Sequence, residues 1–382
     1  MLTFGSKAVT DFILNWVYNV EKIPSLKPYI VAVMDEELLR VCREKGIPAF
    51  HAQNSNIIGD KENLGGAVGQ EKQVVSADKY YRQDGAAFKK MGAVKARVLQ
   101  DLLEAGYNVF VSDADTVWFS DPWDIVGKEG VPSRSDSKLL READILVSTD
   151  CIDYSEDLGP GLAAHEHNTG ILWLRSTPST IAFTKEWQVR ALATTDGHDQ
   201  TEFNRILKGW YEPGVEGRLS RDSGLDFPYM PAYVNEQDIL VPTDPQRDLT
   251  VHGDKRMGMR PQMLEKAWNT FNRHKQQNIR DIYWMWRGRL KAAILPMAEF
   301  LNGHMYFTRR VQEYPGAAQP KVVHLTYQFG DTADYVYGKR QRLRELGMWE
   351  MEEADYFSKD DYIYITDVGS LCPASMPFLI TL

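Results

Sequence analysis

Asn108-Val-Phe-Val-Ser-Asp113-Ala-Asp115-Thr-Val-Trp118 is the stretch that decides the fold of this 382-residue chain. An apolar run, Val109 to Val111, ends at two carboxylates one residue apart, and Val117, Trp118 and Phe119 follow. A short apolar run preceded by a helical pattern and a glycine-containing turn reads as a buried parallel strand. Ligands of open α/β sheets sit at the carboxyl ends of such strands. Two acids at i and i+2 in an apolar setting are costly unless a cation neutralises them. A divalent metal holding a diphosphate accounts for them. The plain alternative is an Asx turn in which Asp113 caps the next segment.

Composition narrows the setting. The chain is 43% hydrophobic and 25% charged, as a folded soluble protein is, and long enough for one large domain or two small ones. A formal charge of −9 with no Lys/Arg-rich block argues against nucleic acid as a partner. Cys42, Cys151 and Cys372 are too few and scattered for a disulfide framework or a zinc site. No apolar run approaches the roughly 20 residues of a membrane span, and no signal peptide is visible. Met1 is followed almost at once by an apolar strand, Leu2-Thr-Phe4, so membrane contact is expected only through an anchor absent from this chain.

Working outward, three βα signals precede residue 51. Leu2–Phe4 is followed by a helical stripe of Val9, Phe12, Ile13, Trp16, Val17 and Val20. Tyr29–Met34 is a second strand, and its helix from Glu36 ends at Gly46 before Ile47–Phe50. Such alternation predicts a parallel, doubly wound sheet. Asp35 stands where a helix N-cap belongs, which explains it better than contact with a nucleotide base. Residues 53–83 are polar and aperiodic, as in a mobile flap or an active-site loop.

The next helix, about Ala86 to Glu104, carries Lys95 four residues from both Met91 and Leu99, on its apolar stripe. A lysine there snorkels out or reaches an anion. If the anion is a ligand, Lys95→Met is expected to leave the free protein at least as stable as before. Asp144–Ser148 is another strand, and His167-Asn168-Thr169-Gly170 leads into the strand Ile171–Leu174. Asp199-Gln200 opens a short helix, as a cap or as part of a site. From Gly209 to Arg289 periodicity weakens, which marks an insertion forming a substrate-facing wall or an ornament. Leu290–Leu295 and Val322–Thr326 are late strands, and Gly338-Lys339-Arg340 opens a basic helix. A histidine amid apolar residues is usually a core residue, but a metal at Asp113 and Asp115 needs more ligands, and the imidazole of His324 suits Mn²⁺. His165, His167 and His304 are weaker candidates.

The ordered set resembles retaining nucleotide-sugar glycosyltransferases of the glycogenin-like type. Closer still is the plant and algal nucleotide-diphospho-sugar transferase family, which includes rhamnogalacturonan xylosyltransferases and extensin arabinosyltransferases. The resemblance rests on Phe88-x-x-Met91-x-x-x-Lys95, Gly106-Tyr107-x-Val109, Asp113-x-Asp115-x-Val117-Trp118 and Arg175-Ser176-Thr177-Pro178. It continues through Asn302-Gly303-His304-x-Tyr306-Phe307, His324-x-Thr326-Tyr327-Gln328 and Gly338-Lys339-Arg340-x-Arg342. The arabinosyltransferase branch is the nearest. The sequence departs from the family pattern at 211–289, and its His324-to-Lys339 spacing is longer.

The resemblance implies one α/β catalytic domain over residues 1–356. It would be a GT-A-type, Rossmann-like fold with a mostly parallel central sheet and an elaborated C-terminal half, 211–289 being an acceptor-side insertion and 357–382 a tail. It implies Mn²⁺ or Mg²⁺ and a UDP-sugar donor. Asp115 would ligate the metal, Asp113 the metal or the ribose, and His324 would be the other protein ligand. Lys95 or Lys339 would neutralise the leaving diphosphate, and Phe4, Gly5 and Ser6 would approach the nucleotide. Asn168, Asp199 and Gln200 would hold the sugar. The product would be a pentoside of retained configuration, arabinofuranoside first, on a glycan or glycoprotein such as a hydroxyproline-linked arabinoside, in the Golgi lumen. Two rivals remain. Asp113-x-Asp115-x-Val117 also fits the haloacid-dehalogenase phosphatase pattern with Asp113 as nucleophile, Asp331 and Asp334 hinting at its distal acids. A non-catalytic sugar-nucleotide or glycan-binding protein could share the fold.

Overall fold

The βα units read from the first fifty residues are present in the computed structural model. Strand β1 (Leu2–Gly5) leads into α1 (Thr10–Glu21), which buries Phe12, Ile13, Trp16, Val17 and Val20. Strand β2 (Ile30–Val33), α2 (Glu36–Glu44) and β3 (Ala49–His51) follow. Asp35 is a cap: its Oδ1 accepts the Leu38 N–H at 2.8 Å and its Oδ2 the Lys7 N–H at 2.7 Å. Next come α3 (Gly85–Glu104), β4 (Val109–Ser112), β5 (Thr116–Trp118), α4 (Trp123–Val126), β6 (Ile145–Thr149) and β7 (His167–Leu174). The chain continues through α5 (Pro178–Ala193), α6 (Asp199–Leu207), β8 (Met230–Pro231), β9 (Tyr283–Met285), β10 (Leu290–Ile294) and β11 (Phe300–Asn302). A π turn, His304–Thr308, precedes β12 (Val322–His324), and α7 (Tyr337–Glu345) is the last described helix.

The structure describes residues 1–52, 85–128, 130–132, 134, 136–158, 162, 165–193, 199–208, 230–231, 276–286, 289–328 and 337–351. The expected loop 53–83, the tail 357–382 and most of the 211–289 insertion lie outside them. Among the described residues no helix is long and apolar enough to cross a membrane.

Nine strands form one sheet in the order β3-β2-β1-β4-β7-β6-β10-β9-β8, mostly parallel as expected. Strand β7 runs antiparallel between β4 and β6, and β9 runs antiparallel to both its neighbours. Alternate side chains enter two separate apolar clusters: Val109, Val111, Leu172 and Leu174 in one, Phe110, Ile171 and Trp173 in the other. The sheet is therefore buried on both faces, with α3, α5 and α6 packed into one cluster and α1, α2 and α4 into the other.

Two features position the site. The chain winds outward from β1 through β2 to β3, then returns through α3 to place β4 on the other side of β1. That reversal opens a crevice at the carboxyl ends of β1 and β4. A second, three-stranded sheet, β11-β12-β5, stands beside it, with β12 antiparallel to β5. One expectation is corrected. Asn168, Thr169 and Gly170 lie inside β7, because the Asn204 side chain bonds both the N–H and the C=O of His167 at 2.8 Å and extends the ladder past the apolar run.

Candidate active site

The Asp113–Asp115 turn is fixed from several sides. Beneath it, the Ser112 hydroxyl accepts from the indoles of Trp16 at 2.8 Å and Trp118 at 3.1 Å, so this buried polar group is satisfied. The Asp113 N–H donates to Gly170 O at 2.7 Å, and the Thr116 hydroxyl closes the turn onto Asp113 O at 2.8 Å. Leu325 N–H donates to Asp115 O at 3.0 Å. Antiparallel pairing sets His324 opposite Thr116. Its Nε2 thus lies 3.3 Å from Asp115 Oδ1 and 3.7 Å from Asp113 Oδ2. Gly170 is the seat of the ring: a Cβ there would stand 2.1 Å from His324 Cε1. No other residue fits at that position without displacing the imidazole.

Two lysines face the carboxylates. The Lys95 side chain is 3% exposed; its Nζ donates to Asp113 Oδ1 at 3.0 Å and Thr169 O at 2.8 Å and lies 4.7 Å from the centre of the Phe4 ring. The anion that Lys95 reaches is therefore Asp113 itself. Lys339 donates to Asp115 Oδ2 despite its long spacing from His324. Helix α7 delivers it, anchored by Arg340 to Asp11 at 2.5 Å and by an edge contact of Trp349 with Phe12 at 5.1 Å. Burial works against charge on Asp115, but the Lys339 ammonium and His324 outweigh it and hold the carboxyl well below the usual range.

On the other side of the crevice, Asn168, Asp199 and Gln200 converge with a residue that the sequence reading passed over. The Asp150 carboxylate accepts from Asn168 Nδ2 and from Gln200 Nε2, both at 2.8 Å. Asn168 Oδ1 accepts the Gly170 N–H at 2.8 Å, and Gln200 Oε1 accepts the Thr169 N–H at 3.3 Å. The Thr169 hydroxyl reaches Asp199 Oδ2 at 3.4 Å. Asp150 follows β6 directly, so the rule that singled out Asp113, an acid at the carboxyl end of a buried strand, would have found it. Gly5 and Ser6 shape the β1–α1 turn. A Cβ on Gly5 would meet Val9 Cγ2 at 2.9 Å, and Ser6 O accepts the Val9 N–H at 3.0 Å.

Ligand atoms of Asp113, Asp115 and His324 lie within 4.8 Å of one another, the one such group among the described residues. Carboxylate oxygens with one imidazole suit Mn²⁺ or Mg²⁺, whose remaining positions water and phosphate oxygens can fill. His165, His167 and His304 are not in the group. His167 is wholly buried with neither ring nitrogen bonded.

An α/β sheet carrying an Asp-x-Asp pair, an imidazole and two lysines at its switch point has the architecture of a GT-A glycosyltransferase. The sequence comparison agrees: the chain belongs to the nucleotide-diphospho-sugar transferase family, whose profile matches residues 24–343. It is 27% identical over 357 residues to arabinosyltransferase XEG113 of Arabidopsis thaliana, covering 94% of this chain and 41% of that protein. It is 23% identical over 209 residues to beta-arabinofuranosyltransferase RAY1 of the same plant, covering 55% of this chain and 33% of that protein. Among solved structures, galactosyltransferase LgtC in complex with donor and acceptor sugar analogs aligns over 93% of this chain and 98% of its own, at 10% identity and a TM-score of 0.38. The chain thus spans less than half the length of the two plant proteins. The resemblance to the arabinosyltransferase branch is borne out. The phosphatase reading is not favoured, and Asp331 and Asp334, on which it also drew, lie outside the described residues.

Proposed function

We propose that this chain is the catalytic domain, over residues 1–356, of a retaining glycosyltransferase that moves a pentose, arabinofuranose first, from a UDP-sugar to a glycan or glycoprotein. Support for the pentose comes from the names of the plant relatives. The observation that carries the reading is the Asp113–Asp115–His324 group at the switch point, flanked by Lys95 and Lys339. Asp115, His324 and Asp113 would hold Mn²⁺ or Mg²⁺, which when bound supplies counter-charge to the leaving diphosphate. Lys95 and Lys339 add fixed positive charge where negative charge grows as the glycosidic bond to phosphate breaks. Phe4, Gly5 and Ser6 border the nucleotide at the end of β1. Asn168, Asp199 and Gln200 orient the donor sugar, with Asp150 between them. Retention is ascribed to attack on the face that UDP leaves, which requires no carboxylate nucleophile. The 211–289 insertion is assigned to the acceptor side, hydroxyproline-linked arabinosides are candidate acceptors, and the Golgi lumen is the proposed location.

The test is Asp115→Asn, with UDP binding measured by calorimetry with and without Mn²⁺ and UDP-sugar hydrolysis followed alongside. The variant is expected to fold, to lose Mn²⁺-dependent UDP binding and to lose turnover. UDP affinity unchanged under both conditions would overturn the metal assignment. A non-catalytic binding protein would bind UDP-sugars with Mn²⁺ yet hydrolyse and transfer none of them.

A further inference from the structure

Two of the sequence blocks, Asn302-Gly303-His304 and Thr326-Tyr327-Gln328, supply none of the residues assigned to the donor site. They lie at the ends of β11 and β12, and the backbone is unusual at both. Tyr327 adopts φ +60°, a left-handed conformation rare for an aromatic residue, and His304 opens a π turn. Backbone of this kind costs free energy and persists where the surroundings enforce it, most often at functional sites. Here the surroundings are well defined. The Tyr327 hydroxyl donates to Asp150 O at 2.9 Å, and His304 meets the Tyr327 ring edge-on at 6.2 Å between centres. Asn302 Nδ2 donates to Cys151 O at 2.9 Å and so ties the same segment to the second sheet. Yet the Tyr327 side chain is not spent on packing, since the residue remains 43% exposed.

Asp150 is thus flanked by two sets of groups. Asn168 and Gln200, from β7 and α6, hold its carboxylate on the side assigned to the donor sugar. Tyr327, three residues beyond β12, reaches its backbone carbonyl instead, and His304, just past β11, touches the Tyr327 ring. An exposed aromatic ring with an imidazole against it matches a sugar ring, which offers an apolar C–H face and a rim of hydroxyls. We propose that Tyr327, with His304 beside it, forms the subsite for the acceptor sugar, the ring stacking on Tyr327. The donor ring is the less suitable occupant, because its diphosphate is drawn to Lys95 and Lys339 and its polar partners come from β7 and α6. The assignment rests on the proposed transferase reading.

Tyr327→Gly and Tyr327→Phe test it. Glycine accepts the left-handed φ without strain, so the first variant removes the ring while the fold is kept. Phenylalanine keeps the ring and removes the hydroxyl. The probes are methyl β-arabinofuranoside, observed by saturation-transfer NMR in the presence of UDP and Mn²⁺, and metal-dependent hydrolysis of UDP-arabinofuranose without acceptor. For Tyr327→Gly the saturation signal should disappear and the KM for the arabinoside in transfer should rise about tenfold or more. Donor KM and hydrolysis rate should stay within about twofold. Tyr327→Phe should keep arabinoside binding within about threefold. Unchanged arabinoside binding in Tyr327→Gly overturns the proposal. So does a matching fall in donor hydrolysis, which would make Tyr327 a prop for Asp150, and so does a rise in donor KM alone, which would give the platform to the donor sugar. A Phe variant as impaired as the Gly variant assigns the effect to the hydroxyl and refutes stacking. A wild-type protein that neither binds UDP with Mn²⁺ nor hydrolyses the donor removes the transferase reading itself, a failure recognisable before any variant is made.

Discussion

Lys95→Met separates the structural from the functional side of the charge cluster. Methionine fills the same apolar slot on α3, so the sequence alone predicts a free protein as stable as the parent or more so. The structure reverses that expectation. Lys95 is bonded to Asp113 at 3.0 Å and to Thr169 O at 2.8 Å, and its substitution leaves a carboxylate without its cation and a buried carbonyl with one bond fewer. Breaking a buried ion pair from one side costs about 3–5 kcal/mol, and losing a single hydrogen bond to a charged group about 1.5–3 kcal/mol. Asp113 keeps 29% side-chain exposure and faces His324, so solvent screens much of the loss. A net destabilisation of about 1–3 kcal/mol follows, a melting shift of about 1–4 °C for a chain of 382 residues. Added Mn²⁺ restores a counter-charge to Asp113 and should narrow that gap. Without metal, UDP affinity should fall about tenfold, equivalent to about 1.4 kcal/mol. Thermal melts with and without Mn²⁺, and UDP calorimetry in EDTA, check both halves. A methionine variant that melts at or above the parent and binds UDP equally well without metal would refute the reasoning.

Two further substitutions probe what surrounds the cluster. Burial pushes the His167 imidazole well below its ordinary 6.5, with Lys208 adding to the effect. The unfolded chain therefore takes up a proton that the folded chain refuses as pH falls below about 6.5, and stability drops by up to about 1.4 kcal/mol per pH unit. His167→Leu should flatten this decline, so urea unfolding curves for the two proteins should diverge between pH 7 and 5.5; parallel declines would contradict the assignment. Gly170→Ala places a methyl 2.1 Å from the present position of His324 Cε1 and should displace the ring. Mn²⁺ affinity, read by electron paramagnetic resonance, should fall about 10- to 100-fold, as when a ligand loses its supporting contacts, with the overall fold kept.

What could be read from the sequence divides along a physical line. Features set by neighbours in the chain were legible: the periodic faces of α1 and α3, the cap at Asp35, the apolar run that ends at Asp113. Lys95 stood out because a charge on an apolar stripe is a local anomaly. Features set by register and strand direction were not. The apolar pattern of β7 is the same whether it runs with or against β4, and nothing near Asp150 announces that Asn168 and Gln200 will meet it. His324 could be suspected from chemistry, but what brings it to Asp115 is the pairing of β12 with β5.

Lys339 shows how the two kinds of information combine. Its spacing from His324 departs from the family pattern, yet Arg340 on Asp11 and Trp349 on Phe12 bind α7 and the segment after it to α1, the helix that follows the first strand. The lysine is thereby held against Asp115 by contacts that have nothing to do with the spacing. The outcome is a site in which each carboxylate has its own ammonium: Asp113 has Lys95 and Asp115 has Lys339. Two acids in an apolar crevice raised the question of what balances them. In the free protein the balance is internal. A metal and a diphosphate entering together bring charges of opposite sign, so they can be exchanged into this site without leaving either pair uncompensated.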